Sequence, residues 1–226
     1  MRAQRIKAAI FDYGGVLVRT EDQGPRAAWE RKLGMAPGSL TTTVHDEEVW
    51  VEAQKGSIPS ATHWQAVGKA LALSDVQLQL LRKAFYGGDV PNHRLLAAID
   101  ALRGKGLKTG LLSNFSSDLR GMLQAQNILG RFDHIAISAE IGVMKPHAAA
   151  YEAILGMLGL PAPACVFIDD LPVNVAAARA LGMHGIVFED PVSSLEKLNG
   201  LLHGQPQAVS SAEATCPPSR SPKRQQ

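Results

Sequence analysis

Apolar and polar positions follow two different rhythms along the chain. Near the N-terminus Ala8-Ala9-Ile10-Phe11 is an unbroken apolar run, which predicts a strand buried on both faces. It stops at Asp12; two glycines, Gly14 and Gly15, and a second apolar run, Val16-Leu17-Val18, follow. From residue 19 to about 88 the spacing is helical. Thr20-Glu21-Asp22 predicts the cap of a helix through Trp29 to Leu33, which the glycine- and proline-bearing stretch 34–38 ends. Further helices are expected over 43–55, 60–71 and 74–85, each opening near Ser, Thr or Asp. No strand-like alternation shows in this region, so it reads as a helical insertion placed after the first strand.

Beyond Pro91 helix and strand alternate. Helices are expected over 92–105, 118–126, 146–158, 173–181 and 193–202, with strands at 108–112, 134–138, 164–168 and 185–188. Leu95, Leu96, Ile99 and Leu102 have the spacing of one buried helix face, and Pro146 suits a first helical turn. Such alternation implies an α/β fold, a parallel sheet with right-handed crossovers, in which the carboxyl ends of the strands share one edge. After Gly204 the composition turns to Gln, Pro, Ser, Ala and Lys/Arg, too polar to bury an ordered core. The expected organisation is therefore a sheet core from 1–18 and 91–203, a helical body over 19–90 and a disordered tail over 204–226.

Composition narrows this picture only slightly. A chain of 226 residues can form one well-packed domain, or a core carrying an insertion. A net charge of +2, with much of the basic excess at the ends (Arg2, Arg5, Lys7; Arg220, Lys223, Arg224), gives no argument for nucleic-acid or membrane partners. Cys165 and Cys216 lie far apart, one in an apolar run and one in the polar tail, so a disulfide framework is not expected and a reducing compartment fits. No stretch has the length of a membrane span, and the expectation is a soluble, cytoplasmic protein. Oligomeric state is not legible.

The chemistry collects at the shared edge. Parallel strands would bring Asp12, Ser113-Asn114 and Asp169-Asp170 together, with Lys145-Pro146 opening the helix after the third strand. An aspartate ending a buried strand is costly unless a metal ion or a cationic side chain pairs with it; the plainer alternative is a strand, a tight turn and a capping Asp. Ser113-Asn114 alone suits an ordinary helix cap, and Lys145 alone a surface lysine. Asp169-Asp170 is harder to explain so simply, because adjacent carboxylates at a buried edge repel without a cation. Together the set suits phosphoryl transfer. Carboxylates offer hard oxygens to Mg²⁺, the metal neutralises phosphate charge, and Ser, Asn and Lys can hold the remaining oxygens.

With these motifs in this order, the chain resembles the haloacid dehalogenase (HAD) superfamily of hydrolases, in the branch with a helical cap after the first motif. Phe11-Asp12-Tyr13-Gly14-Gly15-Val16-Leu17 is similar to the first motif, Leu111-Leu112-Ser113-Asn114 to the second and Gly142-Val143-Met144-Lys145-Pro146 to the third. Val166-Phe167-Ile168-Asp169-Asp170, with the run from Asn174 to Arg179 and Leu181-Gly182-Met183, is similar to the fourth. The resemblance runs from about Ile6 to Leu202. It implies a Rossmann-like parallel core, the HAD fold, with a small all-helical cap. It also implies Asp12 as nucleophile and metal ligand, the Gly14 carbonyl and Asp170 as further Mg²⁺ ligands, and Asp169 and Asn174 in support. Ser113 and the Asn114 N–H would bind the phosphoryl group, and Lys145 would hold Asp12 and the phosphate together. The implied partner is a small-molecule phosphate ester.

One position departs from that pattern. Family phosphatases usually carry a second aspartate two residues after the nucleophile, as leaving-group acid and then water-activating base; here Gly14 occupies the position, as in some relatives that resemble sugar-phosphate phosphatases. Tyr13 is its neighbour, but strand alternation should turn it away. Asp22 and His45-Asp46-Glu47-Glu48 are candidate substitutes from the cap, with a solvated helix face as the plainer reading. Trp29, Trp50 and Trp64 suit cap core, His147 a surface role and His184 a structural one. Three functions are in view: a Mg²⁺-dependent phosphatase working through an aspartyl-phosphate, a metal-independent dehalogenase in which Asp12 displaces halide, and a weakly or non-catalytic HAD-like binding protein. Gly14 speaks for the third; the paired Asp169-Asp170 speaks against the second.

Overall fold

The computed structural model describes residues 5–204; the expectations for Arg2, Cys216 and residues 205–226 lie outside the described residues. The chain opens with β1 (Ala8–Phe11) and a short β2 (Val18–Thr20), followed by α1 (Gly24–Leu33), α2 (Ser39–Val44), α3 (Glu47–Gln54), α4 (Ser60–Ala70) and α5 (Asp75–Phe85). After β3 (Asp89–Pro91) come α6 (His93–Gly104), β4 (Lys108–Ser113), α7 (Leu119–Ala125), β5 (His134–Ile137), α8 (Ser138–Ile141) and α9 (Ala148–Leu158). The last elements are β6 (Cys165–Asp169), α10 (Pro172–Ala180), β7 (His184–Val187) and α11 (Pro191–Leu202).

Five strands form one parallel sheet in the order β5-β4-β1-β6-β7. The chain leaves β1 toward β4 and β5, then crosses to β6 and β7 on the other side. The carboxyl ends of β4, β1 and β6 therefore border the point where strand order reverses, the usual place for a ligand in an open α/β sheet. The strands read as continuous apolar runs because both faces are covered. Ala9 and Phe11 pack with Leu95, Ile99, Leu119 and Leu198 from α6, α7 and α11. Ala8 and Ile10, one residue out of phase, pack on the opposite face with Tyr151 and Ile154 of α9 and Ala178 of α10.

The helices α1 to α5 have a core of their own, built on Leu40, Val44, Trp64, Val67, Leu78, Leu81 and Phe85, with Trp29 packed at its edge. An antiparallel ribbon joins this body to the sheet, pairing Val18 with Pro91, Arg19 with Val90 and Thr20 with Asp89. Arg26 braces the ribbon from α1. It donates to the Phe85 carbonyl at 2.7 Å and the Thr20 hydroxyl at 2.9 Å, and pairs with Asp89 at 3.3 Å. Both boundaries expected for the helical body fall inside the ribbon. Its strands went unrecognised because three residues each are too few to show a period of two.

Other local expectations also shift. The single helix expected over 43–55 is two, because Asp46 accepts from the Glu48 and Val49 N–H groups and so starts α3 afresh. Pro146 precedes α9 instead of lying in its first turn, and His147 is that helix's N-cap. His45 is not on a solvated face. It stacks on Trp50 with ring centroids 4.9 Å apart and meets Phe85 edge-on at 5.4 Å. Among the described residues no helix is long and apolar enough to cross a membrane.

Burial, with the Arg26 and His63 charges adding to it, pushes His45 down from 6.5 to about 4. The folded protein holds the ring neutral where the unfolded chain would protonate it. Between those two values the unfolded state binds more protons, so stability rises with pH. Urea denaturation of the wild type should therefore lose about 2 kcal/mol more than His45→Phe between pH 7 and pH 4. Parallel pH profiles for the two proteins would contradict this account of the ring.

Candidate active site

Sheet geometry sets the positions of the acidic groups. Asp12 follows β1 directly, and its backbone N–H still pairs with the Ile168 carbonyl at 2.9 Å. That keeps it level with Asp169 at the end of β6. Carboxylate oxygens of Asp12, Asp169 and Asp170 all lie within 4.8 Å of one another, a group able to hold a metal ion. Lys145 reaches into the cluster from the loop before α9. Its ammonium lies 2.9 Å from Asp12 Oδ1 and 2.6 Å from Asp169 Oδ2, and its side chain is almost wholly buried.

The hydrogen bonds divide the two adjacent aspartates into different tasks. Asp169 is fully buried and its oxygens are saturated: Oδ1 accepts from the Leu171 N–H at 2.8 Å and from Asn174 at 3.0 Å, Oδ2 from Lys145 and Asn174. Asp170 is half-buried and faces a cavity of about 300 Å³. Asp12 Oδ1 accepts from the Tyr13 N–H at 2.7 Å as well as pairing with Lys145. No hydrogen bond among the described residues engages Oδ2, which is the oxygen left for chemistry. Burial raises Asp12 to about 6 despite the Lys145 charge, with Asp169 adding to the rise. Burial and then Asp169 raise Asp170 too. Three carboxylates facing one ammonium leave a charge deficit that a divalent cation with oxygen ligands fits.

The other expected residues meet at the same cavity. Ser113, Asn114, Gly14 and Asn174 line it along with Asp12, Lys145 and Asp170. Asn114 clamps the Lys145 backbone in both directions, donating to its carbonyl and accepting from its N–H at 2.8 Å each. This is more than the helix cap that Ser113-Asn114 suggests by itself. Tyr13 turns away, its hydroxyl meeting Gln126 at 3.2 Å. Of the candidate substitutes from the helical body, Asp22 accepts from the Gly24 N–H, Asp46 caps α3 and His45 is stacked among aromatics; neither these three nor Glu48 line the cavity, and the Glu47 side chain lies outside the described residues.

Sequence reasoning missed three lining residues: Gln54, Phe115 and Leu171. Gln54 ends α3 and donates to the Asn114 carbonyl at 2.8 Å, which brings the helical body to the mouth of the site. Phe115 is met edge-on by Trp50 at 5.3 Å and by Tyr13 at 6.0 Å. Trp50 thus serves the contact between the two bodies, its other ring contacts being to His45 and His63 and not to the apolar core of the helical body. No local pattern announces these residues; they are polar or apolar positions in ordinary helical and loop contexts.

Comparison with known proteins shows the family and the fold. Residues 6–182 match the model of the haloacid dehalogenase-like hydrolases, and the chain belongs to that family. It is 27% identical over 197 residues to a sesquiterpene phosphatase of Aspergillus oryzae, covering 87% of this chain and 96% of that protein. It is 30% identical over 223 residues to a phosphatase of Mycobacterium tuberculosis, covering 88% and 98%. A HAD family enzyme of Bacteroides thetaiotaomicron, crystallised with magnesium and inorganic phosphate, superposes with a TM-score of 0.68 at 22% identity, over 82% of this chain and 96% of that one. At that identity the structural likeness is one of fold.

The two glycines of the first motif are not equivalent. At Gly15, with φ of +75°, an added Cβ would lie 2.1 Å from Asp170 Oδ2, whereas at Gly14 it would meet nothing within 4 Å. Gly15→Ala should therefore destabilise the protein by about 1–3 kcal/mol and displace Asp170. Gly14→Ala should stay within about 1 kcal/mol of the wild type. Urea midpoints of the two variants decide the matter, and equal midpoints would contradict the packing described.

Proposed function

We propose that the chain is a Mg²⁺-dependent phosphatase of a small phosphate monoester, acting through an aspartyl-phosphate on Asp12. The observation that carries this reading is the meeting of three carboxylates with a single lysine at the floor of a cavity whose wall is Ser113 and Asn114. Asp12 Oδ2 is the nucleophile. Lys145 holds Asp12 by its other oxygen and is itself fixed by Asp169 and by the Asn114 clamp. Ser113 and the Asn114 N–H receive the phosphoryl oxygens. A magnesium ion, held by Asp12, Asp170 and the Gly14 carbonyl with Asp169 and Asn174 in support, would neutralise charge between an anionic nucleophile and an anionic substrate. The helical body acts as a cap over the site, and a cavity of about 300 Å³ suits a small substrate.

Two relatives that match nearly end to end are named phosphatases, which favours phosphate over halide as the group displaced. The charge balance favours it as well: a metal-independent dehalogenase has no use for the carboxylates of both Asp169 and Asp170 beside the nucleophile. The third reading, a weakly catalytic binding protein, draws on Gly14 alone.

Asp12→Asn should lower phosphate release by at least about 10³-fold while leaving the circular dichroism spectrum unchanged. Retained turnover would remove Asp12 as nucleophile. In the wild type a chelator should stop phosphate release and Mg²⁺ should restore it. Chelator-insensitive halide release from a 2-haloacid would instead establish the dehalogenase.

With Gln54 as the cap residue touching the Asn114 carbonyl, Gln54→Ala should lower kcat/KM by roughly 5- to 20-fold, about the worth of one hydrogen bond. The global unfolding midpoint should not move. An unchanged kcat/KM would deny the cap contact a part in turnover.

A further inference from the structure

The ionisable groups of the cavity wall are few, and each is committed. Among the described residues they are Asp12, Asp170 and Lys145. Asp12 is the nucleophile of the proposed reaction. Lys145 spends its charge on Asp12 and Asp169, at 2.9 and 2.6 Å. Asp170 is packed against Gly15, on the metal side of the site. The remaining polar lining groups are the hydroxyl of Ser113 and the amides of Gln54, Asn114 and Asn174, none of which ionises near neutral pH. Gly14 occupies open wall and offers no side chain. Among the described residues of the helical body, Gln54 reaches the cavity, and it brings an amide.

That inventory restricts the leaving group. An alkoxide is too basic to depart from phosphorus readily without a proton donor, whereas a carboxylate or phenolate is a stable anion when it departs. We infer that the substrates are phosphate compounds whose leaving group departs unprotonated: acyl phosphates and aryl or enol phosphates, in preference to simple alkyl esters. This inference rests on the phosphatase reading above. In the first step a bond forms from Asp12 Oδ2 to phosphorus while the P–O bond to the leaving group breaks. The leaving oxygen keeps the electron pair and exits as an anion, taking any proton from bulk solvent. In the second step water attacks the same phosphorus and the P–O bond to Asp12 breaks. The carboxylate that departs is itself weakly basic, and the protons of water end on inorganic phosphate and in solvent. Phe115, met edge-on by Trp50, adds an apolar lining residue next in the chain to Asn114, which suits an aryl or acyl group.

The test is kcat/KM for the full chain with Mg²⁺ on substituted phenyl phosphates of graded acidity, acetyl phosphate and ethyl phosphate. The wild type should lose activity steadily as the leaving group becomes more basic, with ethyl phosphate about 10²–10⁴-fold below phenyl phosphate. Acetyl phosphate falling on, above or below the aryl series tells whether the site favours acyl or aryl groups. Gly14→Asp should raise the ratio of ethyl phosphate to p-nitrophenyl phosphate turnover by about 10²-fold or more. A flat wild-type series overturns the inference and leaves the phosphatase reading standing. A steep series that Gly14→Asp does not flatten overturns the assignment of the gap to Gly14. Turnover absent throughout the series, or unaffected by Asp12→Asn, removes the phosphatase reading and the inference with it.

Discussion

The Lys145 ammonium lies between the carboxylates of Asp12 and Asp169, buried with them at the carboxyl edge of the sheet. In that setting charges are tolerated only when paired and hydrogen-bonded. Much of the surrounding structure meets this condition. Asn174 and the Leu171 N–H saturate Asp169, the Tyr13 N–H steadies Asp12, and Asn114 fixes the backbone of Lys145 from two sides. Together these contacts fix the lysine and both carboxylates in place. One ammonium still does not balance three carboxylates, and the surplus negative charge leaves a group of oxygens able to hold a cation.

The fold supplies the coincidence on which this depends. Parallel pairing of β1 with β4 and β6 brings Asp12, Ser113 and Asp169 to one edge although more than a hundred residues separate the first two. Both faces of the sheet are sealed by helices, so the polar groups have only the open edge at which to collect. The helical body is a separate piece of packing with its own core, tied back by a short ribbon and by Arg26. Its influence on the site is delivered through few atoms, chiefly the Gln54 amide and the Trp50 ring against Phe115.

Position 14 shows how the two levels of description inform each other. The residue is glycine in a motif whose neighbour Gly15 must be glycine, because Asp170 lies where a side chain would go. Gly14 is under no such demand, since an added Cβ meets open space. The missing acid is therefore a matter of chemistry and not of room.

The sequence alone determined the α/β class and the strand-end residues Asp12, Ser113-Asn114 and Asp169-Asp170, because buried strands and crossover helices carry strong periodic signals. The family was legible separately, from the resemblance of four motifs in their order. Tertiary structure decided what has no local signature: that Asp169 is saturated while Asp170 faces the cavity, that His45 sits in an aromatic stack, and that Gln54, Phe115 and Leu171 border the site. The two-strand ribbon and the break at Asp46 belong to the same group. Those facts depend on which groups meet across long stretches of chain, and such meetings are set by packing and by the need to pair buried charge, neither of which a linear pattern records.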